Sequence, residues 1–311
     1  MSELRFDGRV AVVTGAGRGI GRGYARLLAS RGARMVVNDL GGSMDGTGAD
    51  AGPASSVATG IVTAGGTAIA DANDVATEAG AQALVDGAVA HFGRLDIVIN
   101  NAGIIRWAGF PDADADNLAR HLAVHVAGSF NTTRAAWPHM ARQGYGRVVM
   151  TTSTGLLGLP NNTSYATAKA AVIGLTRSLA TAGRRHGITA NLIAPGAMTR
   201  MAAQPGDDAG ADDPSRETSA DLVAPMAAFL AHEACPVTGE IYTAGFGRFA
   251  RLFIASTNGY VHAGAQPTIE DVAHHWAAIN DETGYYVPAD LMSWSAAFMA
   301  HLGTSGRGGE G

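Results

Sequence analysis

Little in the chain would tie it together covalently or anchor it to another phase. Across 311 residues there is one cysteine, Cys235, which excludes an internal disulfide framework and any multi-cysteine metal site. A small core residue is the plain reading of Cys235. The ten histidines are scattered rather than set at ligand spacings, so no metal is expected. Charged residues make up 16% with a net charge of -5. Nothing clusters enough cation to neutralise a phosphate backbone, and nucleic acid is not an expected partner. No apolar run reaches the roughly 18 residues of a membrane span, so no membrane partner is expected either. The segment Met1–Arg9 carries acids instead of an apolar core, and Gly309-Glu310-Gly311 matches no common targeting tripeptide; the expected location is cytoplasmic.

Lysine is almost missing as well. Of 22 basic residues only Lys169 is a lysine, the others being arginine. The two are interchangeable wherever charge alone matters. A single retained lysine therefore points to a position that requires a compact ammonium.

What is present has a rhythm. Arg9–Thr14, Arg34–Asn38, Thr67–Ala70, Leu95–Asn100, Gly146–Thr151 and Thr189–Ile193 read as short apolar strands. Between them Gly19–Arg31, Ala54–Ala64, Ala76–Phe92, Asp116–Arg142 and Tyr165–His186 read as helices. This alternation predicts an α/β fold, a doubly wound parallel sheet covered on both faces. With 47% hydrophobic residues the chain can bury a large core. Two stretches depart from the rhythm: a Gly-rich loop, Gly41–Pro53, and an acidic, nearly apolar-free segment, Gln204–Ser219, expected to close as a lid. After Gly245 the alternation stops, and Thr268–Ala278 and Pro288–Leu302 read as helices. The expected organisation is one domain over 4–255, a helical C-terminal extension over 256–302 packed on it, and a flexible Gly-rich tail over 303–311.

The turn Thr14-Gly15-Ala16-Gly17-Arg18-Gly19-Ile20-Gly21 joins the first strand to the first helix. Glycines there let a pyrophosphate approach backbone amides at a helix start, which makes Gly15, Arg18, Gly19, Ile20 and Gly21 candidate dinucleotide contacts. Asp39 ends the second strand, where a carboxylate takes the adenosine ribose hydroxyls and repels a 2′-phosphate. It favours NAD over NADP. Arg18 pulls the other way, but a second negative charge beside Asp39 costs on the order of 1 kcal/mol or more. Asp74 and Val75, after the third strand, either contact adenine or cap the next helix. Asn101, Ala102 and Gly103 close the fourth strand with small residues that leave room for the cofactor. Pro195 and Thr199 follow the sixth, with Thr199 a candidate for the nicotinamide carboxamide.

Tyr165 and Lys169 are four residues apart and share one helical face. A phenol of pKa near ~10 is a poor base at neutral pH, and an ammonium beside it is expected to lower that value. The hydroxyls of Thr151–Thr154 end the fifth strand, where one of them can hold a substrate oxygen.

Four motifs together, Thr14–Gly21, Asn100–Gly103, Tyr165–Lys169 and Pro195-Gly196, resemble the short-chain dehydrogenase/reductase family over about Leu4 to Gly247. The resemblance implies a Rossmann domain with a seven-stranded sheet, a Ser-Tyr-Lys catalytic set, and a homodimer or homotetramer. Within that family, Arg5–Val10, Val37–Gly42, Val124–Phe130, Thr133–Met140 and Thr268–Asn280 look like the (3R)-hydroxyacyl-CoA dehydrogenase part of type 2 peroxisomal multifunctional enzymes. That likeness implies NAD-dependent oxidation of a (3R)-3-hydroxyacyl-CoA, fatty or steroid side-chain, to the 3-ketoacyl-CoA.

Two positions depart from the family pattern. Its active-site Asn falls at His125, where a main-chain carbonyl holding a water near the lysine would survive the change; a titrating proton relay and a packed helix histidine are the alternatives. Its serine usually stands 13 residues before the tyrosine, which is Thr152, whereas counting forward from Met150 selects Ser153, the assignment adopted. For the CoA phosphates only Arg106, Arg248 and Arg251 offer themselves, each equally readable as a surface arginine. A hydroxysteroid or secondary-alcohol dehydrogenase acting on a free substrate is therefore the alternative function. From another class comes a non-catalytic dinucleotide-binding protein, against which the Tyr165/Lys169 pair argues.

Overall fold

The structure, a computed structural model, describes residues 3–197, 201, 218–264 and 266–303. It divides into two compact units, Met1–Arg251 and Leu252–Gly311.

The first unit runs β1 (Val10–Thr14), α1 (Gly19–Ser30), β2 (Arg34–Asn38), α2 (Gly52–Thr63), β3 (Thr67–Asp71), α3 (Glu78–Phe92) and β4 (Ile97–Asn100). It continues with α4 (Ala115–His121), a π-helical turn (Leu122–Ala127), α5 (Gly128–Gln143), β5 (Gly146–Thr151), α6 (Thr163–Gly183), β6 (Ile188–Gly196), α7 (Ala224–Leu230), β7 (Ile241–Gly245) and β8 (Arg248–Leu252). The strands form one sheet in the order β3-β2-β1-β4-β5-β6-β7-β8, and β1 to β7 pair in parallel. β1, β4 and β5 are buried at every position, as strands must be when helices cover both faces, and that is why their sequences do not alternate with polar residues. Each fully buried Val, Ile or Leu of these strands contributes about 1.5–3 kcal/mol.

The sheet carries one strand more than the family pattern implies. After β7 the chain reverses through Phe246 and Gly247, both at positive φ (54° and 74°), the mirror-image turn that matches strand twist. The returning β8 adds an antiparallel edge strand. A second difference lies between β4 and β5, where one uninterrupted helix was expected over Asp116–Arg142. The structure inserts the π-helical turn between α4 and α5, and such turns cluster where side chains serve a site.

In the second unit α8 (Ile269–His274), α9 (Trp276–Ile279) and α10 (Leu291–Phe298) are the helices among the described residues, followed by a 3-10 turn, Ala300–Gly303. Thr268 with Asp271, and Asp290 with Ser293, form capping boxes at the starts of α8 and α10. The single helix expected over Thr268–Ala278 is split at His275. Its ring stacks on Tyr260 at 3.6 Å between centroids while its Nδ1 lies 2.8 Å from the Asp271 carbonyl, so local side-chain bonding competes with the helix. Residues 204–217, the body of the expected lid, and 304–311, the expected tail, lie outside the described residues. Among the described residues no helix is long and apolar enough to cross a membrane.

Candidate active site

In this sheet β1 has β2 on one side and β4 on the other, so the chain changes direction across the sheet there and a crevice opens beyond the strand ends. Hydrogen bonds staple its walls together. The Thr14 hydroxyl accepts from the amides of Asn101 and Ala102, each at 3.0 Å. In return the Asn101 side-chain amide donates to the carbonyls of Thr14 (2.9 Å) and Gly15 (3.0 Å). Gly15 sits at φ 64° with a β-carbon position 2.8 Å from the Ala102 Cα; any side chain there would force the loops apart. The helix that follows, α1, has no side-chain cap from Arg18 and no acid in its first turn. Its leading amides and the positive end of its dipole form a site for an anion such as a pyrophosphate.

Asp39 is held by the same turn. Its Oδ2 accepts the Gly17 amide at 2.8 Å and its Oδ1 the Gly41 amide at 2.7 Å, leaving further lone pairs for ribose hydroxyls. Arg18 donates to the Gly42 carbonyl at 3.4 Å. Asp74 takes the Ala76 amide at 2.9 Å, while the cap of α3 is Thr77, which accepts from Gly80 at 3.0 Å. The capping alternative for Asp74 is thus displaced by three residues, and Asp74 lines the cavity.

A single cavity of about 760 Å³ runs from Arg18 and Asp39 to Tyr165. Every residue picked out from sequence as a cofactor contact lines it, except Thr199, which lies outside the described residues. The glycine cradle, the helix start without an Arg18 side-chain cap and the carboxylate at its far end suit a dinucleotide.

Ser153, Tyr165 and Lys169 line the other end. Tyr165 lies on the first turn of α6 and Lys169 on the second, with Nζ 5.6 Å from the phenol ring centre. Lys169 is buried and donates to the Thr151 carbonyl at 2.9 Å; burial pushes it down to about 7. Burial acts oppositely on Tyr165 and raises it, opposed by a hydrogen bond from Ser153. This corrects the expectation that the ammonium sets the phenol's acidity: desolvation dominates, and Ser153 supplies the opposing interaction. Surroundings separate the two hydroxyls that spacing left open. Ser153 lines the cavity beside Tyr165 with its Oγ accepting the Gly155 amide at 3.0 Å, whereas Thr152 is fully buried and donates to the Lys169 carbonyl at 2.7 Å. Gly155 keeps this corner open, since a methyl there would lie 3.3 Å from both Ser153 Oγ and the Tyr165 ring.

His125 sits on the π-helical turn behind the phenol, fully buried, and does not line the cavity. Its carbonyl accepts the Ser129 hydroxyl at 2.7 Å. Burial, with the Lys169 charge adding to it, holds the imidazole well below its usual range, so the ring is neutral at physiological pH and the titrating reading loses its basis. Sequence reading missed His121, one turn earlier and also buried, whose ring stacks on His125; the i, i+4 spacing of the two was the available signal. Of the arginines considered for a thioester, Arg106 pairs with Asp116 (2.8 Å) and Arg251 with Glu240 (2.8 Å), while Arg248 is exposed on β8.

A short chain dehydrogenase family profile matches residues 9–209. A short-chain type dehydrogenase/reductase of Mycobacterium tuberculosis is 42% identical over 277 residues, covering 89% of this chain and 95% of its own. The peroxisomal multifunctional enzyme type 2 of Mus musculus is 42% identical over 307 residues, which is 97% of this chain and 40% of that protein. The full-length multifunctional enzyme type 2 of Drosophila melanogaster superposes with a TM-score of 0.79 at 31% identity, over 98% of this chain and 51% of that one. The chain therefore spans about half or less of the multifunctional relatives it matches.

Proposed function

The chain belongs to the short-chain dehydrogenase/reductase family of oxidoreductases, and from that premise we propose that it oxidises a (3R)-3-hydroxyacyl-CoA to the 3-ketoacyl-CoA with NAD as acceptor. The observation that carries the chemistry is one cavity with Asp39 at one end and Ser153, Tyr165 and Lys169 at the other. Similarity to the multifunctional enzymes along nearly the whole chain supports the substrate class.

Ser153 holds the substrate hydroxyl against Tyr165. Tyr165 takes the hydroxyl proton, its own phenol proton passing toward Lys169, as the carbinol carbon becomes a carbonyl carbon. When bound, a nicotinamide supplies the acceptor for the hydrogen that leaves that carbon with its electron pair. Lys169, titrating near neutral pH because it is buried, is suited to pass the proton from the phenol onward. Its hydrogen bond to the Thr151 carbonyl fixes the ammonium over the helix face it shares with Tyr165. A positioned base of this kind contributes about 10²–10⁴-fold, and orientation by the cavity adds to it.

Purified protein incubated with NAD and (3R)- and (3S)-hydroxyacyl-CoA thioesters, free hydroxysteroids and simple secondary alcohols, with reduced-cofactor absorbance as readout, tests the reading. Turnover confined to the (3R) thioesters is the expected result. The pairing of Arg106 and Arg251 with acids favours one second reading, a hydroxysteroid or secondary-alcohol dehydrogenase. Turnover of free alcohols alone would establish it and discard the thioester. A cytoplasmic homodimer or homotetramer belongs to the same proposal.

The preference for NAD is carried by Asp39. Asp39→Ala removes the charge that repels a 2′-phosphate and leaves Arg18 nearby to meet one. The NADP-to-NAD ratio of kcat/KM should rise by about tenfold or more, the equivalent of roughly 1.4 kcal/mol. NAD binding should also weaken, because the carboxylate holds the Gly17 and Gly41 amides. An unchanged ratio would remove Asp39 from the ribose site.

A further inference from the structure

Two histidines one helical turn apart pack against the phenol, and no step of the proposed reaction uses their charge. His121 Nε2 accepts the Arg106 amide at 3.3 Å, and its Nδ1 lies 2.8 Å from the Asn117 carbonyl. A backbone amide only donates and a carbonyl only accepts, so this ring is neutral with its proton on Nδ1. A second ring proton would point at the Arg106 N–H. His125 Nε2 lies 2.9 Å from the Ile104 carbonyl, and its Nδ1 is buried without a partner among the described residues.

The rings stack at 5.9 Å with 9° between planes. Both stand nearly perpendicular to Tyr165, His125 at 5.4 Å and His121 at 6.1 Å. The charged and titratable groups around the pair are Lys169 and Tyr165 on α6 and Arg106 on the loop before α4. Among the described residues no carboxylate hydrogen-bonds to either ring. A proton on either imidazole would thus add a cation beside Lys169 in a dry pocket, and burial holds both rings below their usual range.

We propose that His121 is a positioning residue for Tyr165: a permanently neutral ring that backs His125, so that the two imidazoles form the dry wall against which the phenol is held. Its effect on turnover rests on the reading of Tyr165 as base; its effect on the phenol's ionisation does not. Tyr165 meets the cavity on one side; removing the ring admits water on the histidine side as well, and the rise that burial imposes on Tyr165 relaxes toward the ordinary value near ~10. The two polar bonds of His121 matter for folding, while the ring matters for the phenol.

The test is an ultraviolet difference titration of Tyr165, each protein read against the same protein carrying Tyr165→Phe. His121→Asn removes the ring but keeps a side-chain acceptor for the Arg106 amide. His121→Phe keeps a ring and discards both nitrogens. The Asn variant should titrate at lower pH than wild type, by about half a unit or more, and the Phe variant should titrate as wild type. With whichever alcohol the wild type oxidises, kcat of the Asn variant should fall about 10–100-fold, with the NADH dissociation constant within about threefold. A wild-type midpoint in the Asn variant overturns the proposal. Should the Asn variant not fold, a lowered midpoint in the Phe variant overturns it equally and an unshifted one supports it. Because the titration needs no substrate, failure of the hydroxyacyl-CoA reading leaves this outcome intact.

Discussion

Tyr165→Phe should lower kcat by about 10²–10⁴-fold while the NAD dissociation constant stays within about threefold. The phenol oxygen is the only atom removed. It lies at the Ser153 end of the cavity, far from the turn and carboxylate that hold the other end. The ring of Phe still fills the space beside His125 and His121, so the pocket keeps its shape and the loss is confined to proton transfer. NADH fluorescence titration measures binding and single-turnover kinetics measure the chemical step. Turnover within tenfold of wild type would remove Tyr165 from the base role and leave the assignment of the reacting groups without support.

Lys169→Met should do two opposite things: abolish turnover and make the protein more stable. The ammonium is buried, and its folded-state value, pushed down to about 7 from 10.5, means that the unfolded chain holds this proton more tightly. Stability from this group is therefore lost as pH falls from about 10.5 toward 7, and below 7 the full cost is present. A neutral side chain of similar length escapes that cost, a gain of a few kcal/mol, reduced by about 1 kcal/mol for the lost donor to the Thr151 carbonyl. The gap in melting temperature between variant and wild type should widen as pH is lowered from about 10 to 7 and then level off. Tyr165 is present in both proteins, so its own titration drops out of the gap between them. Equal melting temperatures across the range would mean that Lys169 is solvated in the folded protein. A destabilising lysine kept at one position, in a chain that uses arginine everywhere else, is the pattern expected where activity is bought with stability.

The parallel sheet, the Gly-rich turn, Asp39 and the Tyr165/Lys169 pair were legible in the sequence because each depends on short-range rules. Apolar runs of strand length predict buried strands, glycines predict positive φ and close backbone approach, and a four-residue spacing predicts one helical face. The choice between Ser153 and Thr152 was not legible, because spacing places both near the tyrosine. Only the fold leaves one hydroxyl at the cavity beside Tyr165 and commits the other to the Lys169 carbonyl. The direction of the Tyr165 shift was misjudged for the same reason: proximity to a lysine can be read from spacing, but desolvation depends on what the rest of the chain packs around the ring. β8 escaped notice because its turn puts Phe246, a bulky residue, at positive φ, against the usual preference for Gly or Asn. His125 was legible as the residue at the family's active-site Asn position, but His121 was not, and only the π-helical turn and α6 bring both rings against Tyr165. The sequence by itself thus determined the class of fold and which side chains are proposed to react, because both signals are local. Tertiary structure alone decided which hydroxyl, which protonation states and which supporting rings surround them, since burial and orientation are set by residues distant in the chain.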